Sequence, residues 1–152
     1  MHEFVSHITN KLDSKGRVSI PAPFRQVLAR DGFEGLYCFP NPHAATVDAG
    51  GHALMKEITA RLGGFETLTA DHDMIATALY GMSETLKVDS EGRISLTEKI
   101  RGLTGITNAV TFVGLGYKFQ LWEPEAFEAH CAEAMKRALG VLGRSSVGGG
   151  VV

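Results

Sequence analysis

The chain states one motif twice. Asp13-Ser14-Lys15-Gly16-Arg17-Val18-Ser19-Ile20 returns as Asp89-Ser90-Glu91-Gly92-Arg93-Ile94-Ser95-Leu96, a constant 76 residues later (13 to 89). The same register joins Thr9 with Thr85, Lys11 with Lys87 and Arg25 with Arg101. A repeat at fixed spacing constrains the fold more than any composition, because each copy must form the same supersecondary unit. Two related units follow, each presenting one Gly-Arg turn.

In each copy a strand-like segment enters the turn and a second one leaves it. Asp13 and Asp89 suit the first position of a type I turn, where a carboxylate accepts backbone N–H bonds. Gly16 and Gly92 suit its end, where φ is often positive. The simplest chain path is a short hairpin with a glycine bulge, which would pair the strand before the turn with the strand after it. Val18 and Ile20 fall on the opposite pleat face from Arg17 and Ser19, so Arg17 points away from the apolar side. A short helix follows each strand. Pro21-Ala22-Pro23 opens the first, which Gly32 ends; Thr97 caps the second, with Gly102 beyond.

The 152 residues fit one compact domain or two small intertwined halves. A half of roughly 75 residues is marginal as an independent core, so the halves should pack on each other. The composition, 44% hydrophobic and 21% charged, is that of a soluble globular protein. With neither a membrane span nor a leader pattern, a cytoplasmic location is expected. Cys38 and Cys131 lie outside any Cys-x-x-Cys spacing and read as small apolar residues in a reducing compartment.

A formal net charge of −2 does not announce a nucleic-acid partner, but its distribution is uneven. From Lys11 to Arg30 the balance is +4, with Asp13 the lone acid. From Lys87 to Arg101 it is +1, because Asp89, Glu91 and Glu98 intervene. An anionic partner should feel the first turn more strongly.

Five segments are expected: a first repeat over 1–50, a helical hairpin connector over 51–80, a second repeat over 81–125, a helix over 126–140 and a disordered tail over 141–152. Leu54, Ile58 and Leu62 form one helical stripe, and Asp71 can cap the next helix, through Met74, Ile75, Ala78 and Leu79. Strands are expected over 35–39, 44–48, 110–113 and 117–122, with a tight hairpin at Gly114-Leu115-Gly116. Phe127, Cys131, Ala134 and Ala138 share a face of the last helix.

Enzyme signatures are sparse. The six histidines are scattered, none at zinc spacing, and no phosphate-binding loop occurs, so neither metal nor cofactor is expected and no catalytic residue is assigned. The duplicated arginine is more telling. A tight turn requires Asp and Gly but not Arg, whereas an arginine at a turn can grip a phosphate or pair bidentately with guanine. A purely structural Arg–Asp pair is the plainer reading, and the two are compatible.

These pieces carry a resemblance. The first motif with Pro21, Phe24 and Arg25, the second motif, and Val113-Gly114-Leu115-Gly116-Tyr117-Lys118-Phe119-Gln120-Leu121-Trp122-Glu123 closely resemble the bacterial MraZ proteins of the AbrB-like superfamily, over about residues 1–140. The resemblance implies an α+β fold in which two β-rich AbrB-like units form a small swapped-hairpin barrel flanked by helices. It implies a sequence-specific DNA-binding regulator of the division and cell-wall gene cluster. Such regulators act as ring homo-oligomers on short direct repeats in their own promoter, within the nucleoid. Its Asp-x-x-x-Arg motif maps onto Asp13 with Arg17 and Asp89 with Arg93. DNA contact thereby falls to Lys15, Gly16, Arg17, Gly92 and Arg93, and turn stabilisation to Asp13 and Asp89. Two departures stand out: Thr97 replaces the proline after the strand, and Glu91 stands where the first copy has Lys15. The alternative is an antitoxin-like AbrB module that grips a protein, against which the short tail after Leu142 counts.

Overall fold

The computed structural model describes residues 3–151, with side chains through Gly143. Its elements run β1 (His7–Lys11), β2 (Arg17–Ser19), α1 (Ala22–Asp31), β3 (Leu36–Pro40), β4 (Val47–Gly50) and α2 (His52–Leu62). Then come α3 (Ala70–Ala76), a π-helical turn (Thr77–Gly81), β5 (Glu84–Leu86), β6 (Arg93–Ser95), α4 (Glu98–Thr104), β7 (Ala109–Gly114), β8 (Phe119–Trp122) and α5 (Pro124–Val151). The class is α+β, as expected.

The strands form an open six-stranded antiparallel sheet, β1-β7-β8-β4-β3-β5, and a separate two-stranded ribbon, β2-β6. Neither closes into the expected barrel. The expected hairpin across each turn is also absent: β2 pairs with β6, and β1 with β7, so strands flanking one turn find their partners in the other half. The reason is burial. Val18 and Ile94 face each other at the ribbon centre and are each 1% exposed, a contact that a local hairpin would forgo.

The strand order reads the same from either end once the halves are exchanged: β1 answers β5, β7 answers β3 and β8 answers β4. The pairing confirms this point by point. Asp48 lies opposite Gln120 with Val47 against Leu121 and Ala49 against Phe119, while Arg17 lies opposite Ser95 and Ser19 opposite Arg93. β4–β8 and β2–β6 are thus each antiparallel pairs between answering strands of the two halves. Phe4, Phe24 and Phe119 meet edge-on or tilted at 4.8–5.4 Å in the larger of two apolar clusters, and Tyr37, Phe39, Leu54 and Ile58 form the other.

Local chemistry explains the helix ends. Gly32, at φ +79°, closes α1 by donating its N–H to the Leu28 carbonyl at 3.0 Å. The Thr97 hydroxyl accepts the Ile100 N–H at 3.2 Å, so threonine caps α4 as expected. Two assignments are corrected. Thr69, not Asp71, caps α3 by accepting the His72 N–H at 3.1 Å, and α4 passes through Gly102 to stop at Gly105, where φ is +74°. Leu54, Ile58 and Leu62 are buried as their stripe requires, whereas α3 buries none of its residues. Among the described side chains of α5, Phe127 is the only one buried; Cys131 is half-buried, and Ala134 and Ala138 are exposed. Helix continues over the segment expected to form a disordered tail.

The Gly114-Leu115-Gly116 hairpin exists, but Gly114 is needed for closeness rather than for its torsions. A Cβ there would sit 2.5 Å from backbone atoms of Phe4 and Val5. The Gly114 N–H donates to the Ser6 carbonyl at 2.8 Å, and Phe4 exchanges two bonds with Gly116. Gly114→Ala should push the N-terminal segment off β7 and withdraw Phe4 from the core. A destabilisation of about 1–3 kcal/mol is expected in urea titration, with residues 4–8 losing amide protection first.

Candidate nucleic-acid interface

Both turns are built by one aspartate apiece. The Asp13 Oδ1 accepts the backbone N–H groups of Lys15 and Arg17, each at 2.9 Å, and the Gly16 N–H donates to the Asp13 carbonyl at 3.1 Å. Asp89 repeats this with Glu91 and Arg93, each at 2.9 Å, and with Gly92 at 3.0 Å. Gly16 and Gly92 adopt φ of +76° and +78°, where a side chain would be strained. Each aspartate carboxylate and each turn glycine thus engages its turn's backbone in both copies.

The second oxygen of each carboxylate holds the arginine. Arg17 Nε donates to Asp13 Oδ2 at 2.7 Å, and Arg93 Nε to Asp89 Oδ2 at 2.9 Å. Arg93 is gripped again through Nη2 by Glu91, at 3.2 Å. The Asp13 carboxyl is held at about 2, chiefly because it accepts the Arg17 backbone N–H, with the Arg17 side chain adding to the effect. Asp89 is lowered for the same reasons, and hydrogen bonding to Asp89 raises Arg93.

Pairing of β2 with β6 brings the two turns into one surface. Cross-strand partners share a sheet face, so Arg17, Ser19, Arg93 and Ser95 all lie opposite the buried Val18 and Ile94. Arg17 and Arg93 are diagonal neighbours there, with backbones about 7–8 Å apart. Their side chains are 31% and 27% exposed, so each guanidinium is half-sheltered rather than waving in solvent. Lys15 and Glu91 are exposed at equivalent corners and give the two ends opposite charge.

Residue typing from sequence missed two members of this surface and two arginines packed against its turns. Ser19 and Ser95 belong to the ribbon face by pleat parity. Arg25 and Arg101 lie against the glycines of the opposite turns, so close that a Cβ on Gly92 would meet Arg25 Nε at 2.8 Å and one on Gly16 would meet Arg101 Nη2 at 2.7 Å. The signal that marks them is their shared place in the 76-residue register. Among the described residues no cluster of side chains is suited to a metal ion, and no helix is long and apolar enough to cross a membrane.

Residues 79–139 match the family described as "MraZ protein, putative antitoxin-like". Curated relatives extend the likeness over nearly the whole chain. A protein of Beijerinckia indica named "Transcriptional regulator MraZ" is 58% identical over 137 residues, covering 90% of this chain and 84% of the relative. A like-named protein of Methylocella silvestris is also 58% identical, with the same coverage. One of Azorhizobium caulinodans is 48% identical over 150 residues, covering 99% of this chain and 94% of the relative. With identity so far above chance across both turns and the core between them, the chain belongs to the MraZ family.

Proposed function

We propose that the chain is a sequence-specific DNA-binding transcriptional regulator that docks the β2–β6 ribbon on duplex DNA. The observation that carries this reading is the ribbon face itself, with two carboxylate-held guanidiniums on a platform stiffened by a buried Val18–Ile94 pair. A held guanidinium keeps its outer N–H groups aimed, so less rotamer entropy is lost when it meets guanine O6/N7 or a phosphate. The names of the relatives support the regulatory role. In this reading the halves are AbrB-like units, and the protein works in the cytoplasm on the nucleoid without a cofactor.

One ribbon carries too few cations to hold DNA tightly by neutralising phosphates. A ring of copies would present the ribbon repeatedly, and direct repeats in the DNA would let successive contacts form intramolecularly. The target proposed is the division and cell-wall gene cluster, including the protein's own promoter. A net charge of −2 limits indiscriminate adhesion to nucleic acid.

Arg17→Ala should abolish operator binding in a mobility-shift titration while shifting stability by no more than about 0.5 kcal/mol. Arg93→Ala should be milder, because Glu91 already occupies part of that guanidinium. Intact operator binding by folded Arg17→Ala would remove the proposed reader. A folded wild-type chain that ignores operator DNA would move the assignment to a protein partner. Affinity should fall steeply and linearly in log–log salt plots.

The pH response follows from Asp13. Its folded value, about 2, lies below the ordinary 3.8, so its contribution to the turn is full above pH 3.8 and disappears as pH falls through 2. Operator binding should therefore show no Asp13-linked step between about pH 5 and 8. Carbon-detected NMR titration of the side-chain carboxyl should place its midpoint near 2, and a midpoint at the ordinary value would dissolve the proposed turn lock.

A further inference from the structure

The two turns are alike, but neither is supported by its own half. Arg101, on α4 of the second half, lies over Gly16 of the first turn; Arg25, on α1 of the first half, lies over Gly92 of the second. The backbone crosses in the same sense, since the Ile20 N–H donates to the Gly92 carbonyl at 2.9 Å and the Leu96 N–H to the Gly16 carbonyl at 3.1 Å. Arg25 is fixed further by donating Nη1 to the Ile20 carbonyl at 2.7 Å. Arg25, Leu28 and Ala29 of α1 also line a cavity of about 400 Å³ together with Asp89–Gly92, so this part of the helix borders the foreign turn.

We propose that Arg101 and Arg25 are crossed positioning residues, Arg101 setting the first turn's reading geometry and Arg25 the second's. A flat guanidinium packed on a glycine peptide limits how far that turn can hinge. The arginine one residue further on, Arg17 or Arg93, is thereby kept at its aspartate. The turn glycines thus answer two demands at once, a left-handed torsion and the absence of a Cβ where an arginine lies. The supports are unequal. Arg25 has a carbonyl acceptor, whereas Arg101 Nε is buried without a partner, so packing over Gly16 carries more of its restraint. The first turn, which bears Lys15, is accordingly the more readily loosened.

The functional side of this proposal rests on the DNA-binding reading, but its structural side can be tested without DNA. Hydrogen exchange by mass spectrometry on the full-length protein would follow the amides each turn holds locally, 13–17 and 89–93, with the helix amides 98–104 as control. Arg101→Met should speed exchange in 13–17 about tenfold while leaving 89–93 and 98–104 near wild type. Arg25→Met should do the reverse, loosening 89–93 and leaving 13–17 near wild type. Loosening of each arginine's own half, or of both turns equally, would overturn the crossed arrangement. If a Met variant fails to fold, Arg101→Lys and Arg25→Lys keep the charge and stem but lose the plane, and should give the same pattern more weakly.

The second arm measures operator affinity against salt for Arg101→Met. A positioning residue should weaken specific binding with the salt slope unchanged, whereas a slope reduced by about one would make Arg101 a phosphate contact and overturn the positioning role. Loss of DNA binding by the wild type would strike the functional reading, while the exchange pattern would still decide the crossed support.

Discussion

The structure depends on one apolar contact, Val18 against Ile94 at the centre of a ribbon that neither half can make alone. Each residue is almost wholly buried, and each lies one position beyond Arg17 or Arg93. Pleat alternation then does the rest: with Val18 and Ile94 inward, Arg17 and Arg93 must share the outer face. Core formation and construction of the candidate surface are therefore one event. A chain that failed to pair its halves would lose the platform along with the stability.

The same contact explains what could be read from residues alone. The 76-residue register, the Asp-Gly turns, the inward Val18 and Ile20, and the Thr97 cap are local features, fixed by torsions, parity or one side-chain bond. Sequence position carried them directly. Which strand pairs with which is not local. Arg17-Val18-Ser19 would satisfy a hairpin with the strand before it as readily as a ribbon with the second half, and only the burial gained across the halves decides. The barrel expected from resemblance fails for the same reason: closure would need β1 and β5 to meet, and each instead pairs on one side only, with β7 and β3. Thr69 outcompeting Asp71 as a cap is a smaller case, two acceptable caps separated by where the loop enters the helix.

Electrostatics at the surface is a matter of orientation more than of quantity. Exposed ion pairs of this kind add little to stability. Their effect is to keep each carboxylate charged and each guanidinium directed, while the carboxylate's other oxygen organises the turn backbone. Asp13 and Asp89 thus couple a torsional requirement to a chemical one. Arg25 and Arg101 lie against the glycines of the opposite turns, so that each turn is bounded by residues of both halves.

The near-identity of the two ends makes the charge mismatch at their corners informative. A ribbon with perfect two-fold symmetry would lie on a duplex equally well after being turned end for end. Lys15 at one corner and Glu91 at the other abolish that equivalence and give the platform a head and a tail. Under the DNA-binding role proposed above, a platform with a head and a tail would favour boxes that all point the same way along the helix over boxes arranged as mirror images.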